Sequence, residues 1–242
     1  MTTITTTTRV PMSTLRKTAF VAGALYLLTF VSSIPAVPLL GPVLNDPNYI
    51  IGSGADTRVL FACLLDLINA LAAIGTAVAL FPVVRRQNES LALGFVTTRL
   101  FEAAVIAIGI VSLMSVVTLR HAGATGPEAD SLLIAGHSLV AVRNWTMLLG
   151  PGVMAALNGL MLGTLMYRSR LVPRIIPTVG LIGVPLLLIS AISTWFGGFD
   201  QFSGPALVLV LPIAAWEFSL GVWLVVKGFD RAAIERLAPA QW

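Results

Sequence analysis

Six stretches of this chain stay apolar for about twenty residues or more, and that length limits what the chain can become. An α-helix rises ~1.5 Å per residue, so about 20 apolar residues match the ~30 Å hydrocarbon core of a bilayer. No water reaches a backbone N–H or C=O inside that core, so each run must close its own hydrogen bonds as a helix. The expected fold is an all-α, polytopic integral membrane protein. Its six transmembrane helices are expected at about residues 18–40, 59–84, 91–119, 137–167, 175–196 and 205–226. Composition agrees: 57% of the 242 residues are hydrophobic and only 11% are charged, against about 25% charged in a soluble domain. Residues 1–15 read as a disordered Thr-rich tail, 16–230 as a single membrane domain and 231–242 as a charged tail, so no separate soluble domain is expected.

Connections follow from the breakers. Residues 39–58 carry Gly41, Pro42, Asn45, Asp46, Pro47, Gly52 and Gly54, a density that predicts a loop rather than a continuing helix. A short link, Arg85 to Ser90, joins the second and third runs, and a polar loop spans Arg120 to about Gly136. A cleaved leader is the rival reading of the first run. That run is long for one, however, and ends in Ile34-Pro35-Ala36-Val37-Pro38 rather than in a small-x-small site. Cys63 is the single cysteine, which excludes an intrachain disulfide and a cysteine-based metal centre.

Orientation comes from counting lysines and arginines. With the N-terminus inside, the inner segments hold eleven of the 15, the outer loops hold Arg58 and Arg120, and Arg99 and Arg143 lie within the runs. This bias predicts that both termini are cytoplasmic. It also assigns the net charge of +4 to an inner membrane surface rather than to nucleic acid, for which no basic face with interleaved aromatics is present.

Five ionisable residues interrupt the apolar runs: Asp66, Arg99, Glu102, Arg143 and Glu217. Each would cost roughly 2.5–3.5 kcal/mol in lipid, so they are expected to face protein or water. Arg99 and Glu102 are three residues apart and share a helix face, as do Asp66 and Asn69. On the fourth run Arg143, Asn144 and Asn158 form a polar stripe with the same periodicity. Together these eight residues are the candidate intramembrane polar cluster. Depth along the helices pairs Arg99 with Glu217 and Arg143 with Asp66, with Glu102 joining the first pair. Three acids against two bases leave one carboxylate over, which is the ingredient a proton-coupled transporter needs. The alternative is that the ion pairs only fix helix packing.

Other patterns carry less. Gly150-Pro151-Gly152 is expected to interrupt the fourth helix as a kink or a hinge. Gly159 and Gly163 let a neighbouring helix approach closely, for internal packing more than for dimerisation. No inverted three-plus-three repeat is discernible between the halves. Gly136-His137-Ser138 starts like a nucleophile elbow but lacks its last glycine and its strand–turn–helix context. His121 and His137 form no zinc-hydrolase pattern. Trp145, Trp195, Trp216 and Trp223 read as belt or packing residues. No catalytic residue, metal site or cofactor is expected.

Several stretches together resemble a bacterial family of six-helix membrane proteins called domain of unknown function 4386. They are Arg16-Lys17-Thr18-Ala19, residues 41–49 (Gly41 to Tyr49), and residues 81–89 (Phe81 to Glu89) followed by Leu91-Ala92-Leu93-Gly94. Arg99 with Glu102, residues 169–174 with Gly180-Leu181-Ile182-Gly183, and Glu217 leading to Trp223 and residues 224–229 complete the set. The resemblance implies the six-helix topology, the placement of Arg99, Glu102 and Glu217, and a bacterial inner (plasma) membrane. It implies no activity. The expected partners are the lipid bilayer and a small-molecule or proton substrate. Two functional readings stand: a small transporter or permease-like protein, or a non-transporting sensor, partner or structural module. An intramembrane enzyme has no visible nucleophile–base pair to support it.

Overall fold

The computed structural model describes residues 14–52, 54–123 and 126–237, and every described element is helical. The elements are α1 (Thr14–Asn45), α2 (Asp56–Val84), α3 (Glu89–Ala122), α4 (Pro127–Met147), a π-helical segment (Leu148–Met154), α5 (Ala155–Ser169), α6 (Ile175–Trp195), α7 (Gly204–Val226) and α8 (Arg231–Arg236). α4, the π segment and α5 run on as one span, so six helical spans are long and apolar enough to cross a membrane. The chain is a multi-pass membrane protein.

Two boundaries differ from the sequence reading. α1 continues through Gly41 and Pro42 to Asn45, where a loop was expected from residue 39. A proline removes one helical N–H, but a backbone at membrane depth has no solvent alternative, so the ladder continues around the gap. α4 begins at Pro127, ten residues before the expected start, inside the stretch whose polarity predicts a loop. Proline at the first helical position loses no hydrogen bond there, and Glu128 and Asp130 in the first turn suit the helix dipole. The Gly150-Pro151-Gly152 stretch interrupts the α-helix of the fourth span where expected, and the interruption takes the form of seven π-helical residues, Leu148–Met154, through which the span stays continuous. Of the expected N-terminal tail, residues 1–13 lie outside the described residues, and Thr14 and Leu15 already belong to α1. The expected C-terminal tail holds α8, and its residues 238–242 lie outside the described residues.

Successive spans pack against each other, and α1 closes on α7, so the six spans form a ring in chain order. Glycines set the closest approaches. A Cβ on Gly23 of α1 would lie 2.6 Å from the Gly221 carbonyl of α7, and one on Gly180 of α6 would meet the buried Trp216 ring at 2.6 Å. Gly159 and Gly163 face Ile213 of α7 and Leu181 of α6, which makes them internal packing positions. Arg16 donates to the Leu224, Val225 and Val226 carbonyls at 2.8, 2.5 and 3.1 Å, fastening the start of α1 to the end of α7. The start of α1 and the end of α7 therefore lie at one end of the bundle, called here the terminal end.

Two apolar cores result. One fills the terminal end with residues from every span, including Tyr26, Leu80, Phe95, Met166, Trp216 and Leu220. The other lies at the far end, and its buried residues come from α1, the loop after it, α2 and α3, with α4 packed alongside. α6 and α7 contribute nothing to this second core. The loop after α1 is tied down at the far end. Arg120 binds Asp56 and donates to the Gly52 carbonyl at 2.8 and 3.0 Å, while the Tyr49 hydroxyl donates to Asp56 at 2.8 Å. Burial and that bond hold the Tyr49 phenol above its ordinary range, so it stays a donor.

Candidate functional site

The space left by the one-sided second core is a cavity of about 830 Å³. Its wall comes from the far halves of α1, α6 and α7, from α2, α3 and α4, and from the π segment. At the far end it reaches Asn45, Gln201 and Phe202, and in mid-span it meets Arg99, Glu102 and Glu217 on one side and Asp66 and Arg143 on another. Beyond these charges the terminal-end core begins. The cavity is thus lined by charged and polar groups in mid-span and by apolar side chains along most of its length.

α3 supplies the floor. Its N-terminus is fixed by Asn88, whose side-chain oxygen accepts from the Leu91 N–H at 2.9 Å. Ten residues further, about 15 Å along the axis, Arg99 and one turn later Glu102 point inward. The Arg99 guanidinium donates to Glu102 Oε2 at 3.0 Å and to Glu217 Oε1 of α7 at 2.6 Å. It also donates to the Tyr26 hydroxyl of α1 at 3.3 Å, and it stands over the Tyr26 and Phe95 rings at 5.3 and 5.9 Å. Asn158 of α5 donates to Glu102 Oε2 at 2.5 Å. Three helices, α1, α3 and α7, therefore converge on one cation, α5 joins them through Glu102, and Arg99 and Glu102 are almost fully buried at 4% and 7% side-chain exposure. Glu217 is the accessible member at 18%.

The second pair sits on the adjoining wall. Arg143 of α4 donates to Asp66 Oδ2 of α2 at 2.7 Å, and both are buried. It reaches across α3 over Gly109, where an added Cβ would lie 3.0 Å from the Arg143 side chain and 2.6 Å from Thr146 Oγ1.

Of the eight residues expected in the polar cluster, the structure brings five into direct contact in two groups through salt bridges, with Asn158 joining the first group. Asn69 and Asn144 line the same cavity but make no side-chain hydrogen bond among the described residues. Asn144 is exposed and Asn69 half-buried. The sequence reading missed Tyr26. Its only signal was position: a tyrosine in the middle of a span rather than at an interface, where tyrosines usually sit. Five buried polar side-chain atoms have no partner among the described residues: Arg99 Nε, Arg143 Nε and Asn158 Oδ1 of the cluster, with Thr194 Oγ1 and Ser203 Oγ. Each such group costs about 1–3 kcal/mol. Among the described residues no group of three His, Cys, Asp or Glu side chains is placed to hold a metal ion.

In formal charge the Arg143–Asp66 pair is neutral, and the Glu102–Arg99–Glu217 triad carries one negative charge when both acids are ionised. What the arrangement offers chemically is a carboxylate held by a buried, paired arginine beside a largely apolar cavity. No curated protein and no solved structure matches the chain. A family model described as Domain of unknown function (DUF4386) matches residues 21–228. That segment contains all the ionisable groups of the cavity, and the chain belongs to this family.

Proposed function

We propose that the protein is a small transporter or permease-like protein that carries a small molecule across the bilayer through this cavity. The observation that carries the reading is the cavity itself: about 830 Å³, reaching the far end and stopping at the Arg99/Glu102/Glu217 triad. Alternating access needs a passage to one face, a polar site near mid-depth, and a seal beyond it that can repack. The terminal-end core, clasped by Arg16, fits the description of such a seal. The π segment lines the passage with Pro151 and Gly152, and π turns recur at functional sites.

In this reading the membrane is a bacterial inner membrane, with both termini cytoplasmic and the cavity open to the outside. The distribution of Lys and Arg supports that orientation. So does the basic surface at the terminal end, where Arg170, Arg174, Lys227, Arg231 and Arg236 surround a depression of about 900 Å³. Anionic headgroups of an inner leaflet attract such a surface.

A second reading has its own observation. All five ionisable groups are paired, as they would be in a sensor, partner or structural module whose ion pairs only set helix register. Proteoliposomes separate the two. Wild type, Glu217→Gln and Arg99→Ala would be compared for proton flux and for thermal stabilisation by a small-molecule panel. Transport predicts flux and stabilisation in wild type and their loss in Glu217→Gln with folding retained. Equal behaviour of all three proteins would sink the transport reading.

A further inference from the structure

Resting on the transport reading above, we infer that the ligand of this cavity is a monovalent organic cation with an apolar body, bound at Glu217 in competition with a proton. The first argument is charge. Every charged group on the wall is accounted for: Asp66 of α2, Arg99 and Glu102 of α3, Arg143 of α4 and Glu217 of α7. α1 adds only the Tyr26 phenol, which meets Arg99 behind the wall, and α6 lines the wall with Leu187, Ser190, Ala191 and Thr194, none of them titratable. The wall therefore sums to one negative charge. A lone charge in this setting is costly, so the triad is stable with one proton or with one cation, and the two exclude each other.

Access is the second argument. Arg99 occupies Glu217 Oε1 at 2.6 Å, and no side chain among the described residues bonds Oε2. Glu102 is held by both Arg99 and Asn158 and is nearly inaccessible. Glu217 is the carboxylate that a ligand in the cavity meets. An anionic ligand would have to find Arg99 or Arg143, and both are already engaged with acids and buried at 4% and 6% exposure.

The third argument is the passage. Phe30, Ile34, Val37, Leu207 and Val210 line it and suit an apolar ligand body. Asn45 and Gln201 near the far end are neutral, so nothing there repels a cation.

The exchange balances. A cation entering from the far end takes the Glu217 carboxylate, and the proton leaves the carboxyl oxygen for water on the same side. When the site opens to the terminal end, a proton takes the carboxylate and releases the cation. One proton moves against one cation, with no net charge transferred.

The test uses the purified full chain in a neutral detergent with two probes of nearly equal shape and opposite charge, tetraphenylphosphonium and tetraphenylborate. Binding is measured by equilibrium dialysis between pH 5 and pH 9, and proton release with an indicator dye in weak buffer. The cation is expected to bind more tightly as pH rises, up to about tenfold per pH unit, and to displace about one proton from the triad. Glu217→Gln should lower the affinity at least tenfold and release no proton, while Glu217→Asp restores both in part. Glu128→Gln, at an exposed far-end position outside the cavity, should match wild type. The wild-type pH series stands even if the Gln variant fails to fold. Equal or tighter binding of tetraphenylborate overturns the cation assignment and leaves the cavity as a binding site. So does pH-independent binding without proton release. Failure of both probes to bind overturns the cation assignment and removes the cavity's support for transport as well.

Discussion

Arg143 reaches Asp66 because α3 carries no side chain at residue 109. An added Cβ there would overlap Thr146 Oγ1 and press on Arg143. Gly109→Ala is expected to destabilise the folded protein by about 1–3 kcal/mol through overpacking, read from the unfolding temperature in detergent. In an Asp66→Asn background much of that loss should vanish, because the salt bridge it strains is already absent. Removing Arg143 itself leaves Asp66 buried without its cation, and Arg143→Ala should cost about 3–5 kcal/mol. The Asp66→Asn/Arg143→Ala double variant should be more stable than Arg143→Ala alone. A double variant no better than the single would show that packing, not charge, holds this corner. The ion-pair partners were legible from depth along each helix and from which residues share a face, since 1.5 Å per residue and 100° per residue are properties of any helix. Tyr26 was not legible, because nothing in the sequence turns α1 so that its hydroxyl meets Arg99 of α3. That contact exists only once α1 is packed in the folded bundle, where Gly23 lies against α7.

Among the elements, α1 and the π segment depart most from what local propensity predicts. α1 carries Pro35, Pro38 and Pro42 and remains helical to Asn45. Their spacing of three and four residues puts all three on one face, so the missing N–H groups thin the ladder along one side of the far half of α1. Ile34, Val37, Pro38 and Gly41 of that half line the cavity. Pro151 is handled differently, by a seven-residue π turn that keeps the fourth span continuous. Proline in a helix interior costs about 3 kcal/mol relative to alanine, so Pro151→Ala should keep or raise the unfolding temperature. The same change should lower tetraphenylphosphonium binding at least threefold if the π turn shapes the cavity wall. A variant less stable than wild type would instead mark the turn as a packing device. Composition alone could not tell a π turn from a break, since both follow from Gly150-Pro151-Gly152 and only the continuous contacts of the π segment with α3 and α6 choose between them.

At the scale of the molecule, a filled core at the terminal end and a cavity that extends to far-end residues give the bundle its polarity. If the far end faces outward, single cysteines in a Cys63→Ala background report it. Glu128→Cys should react with a membrane-impermeant maleimide in intact cells, and Lys227→Cys only after permeabilisation. Ala214→Cys, in the cavity, should react from the same side as residue 128, and Leu220→Cys in the terminal-end core should stay protected. The reverse labelling pattern would invert the orientation. Six apolar runs, the number of spans and the five residues that must avoid lipid were determined by the sequence by itself, because bilayer thickness and the cost of an unpaired charge act on each segment separately. Where α6 and α7 stand apart from the second core, and therefore that a cavity ends at Glu217, was decided only by the tertiary structure. Which faces meet, and how closely, depends on glycine contacts and core volumes contributed by helices far apart in the chain.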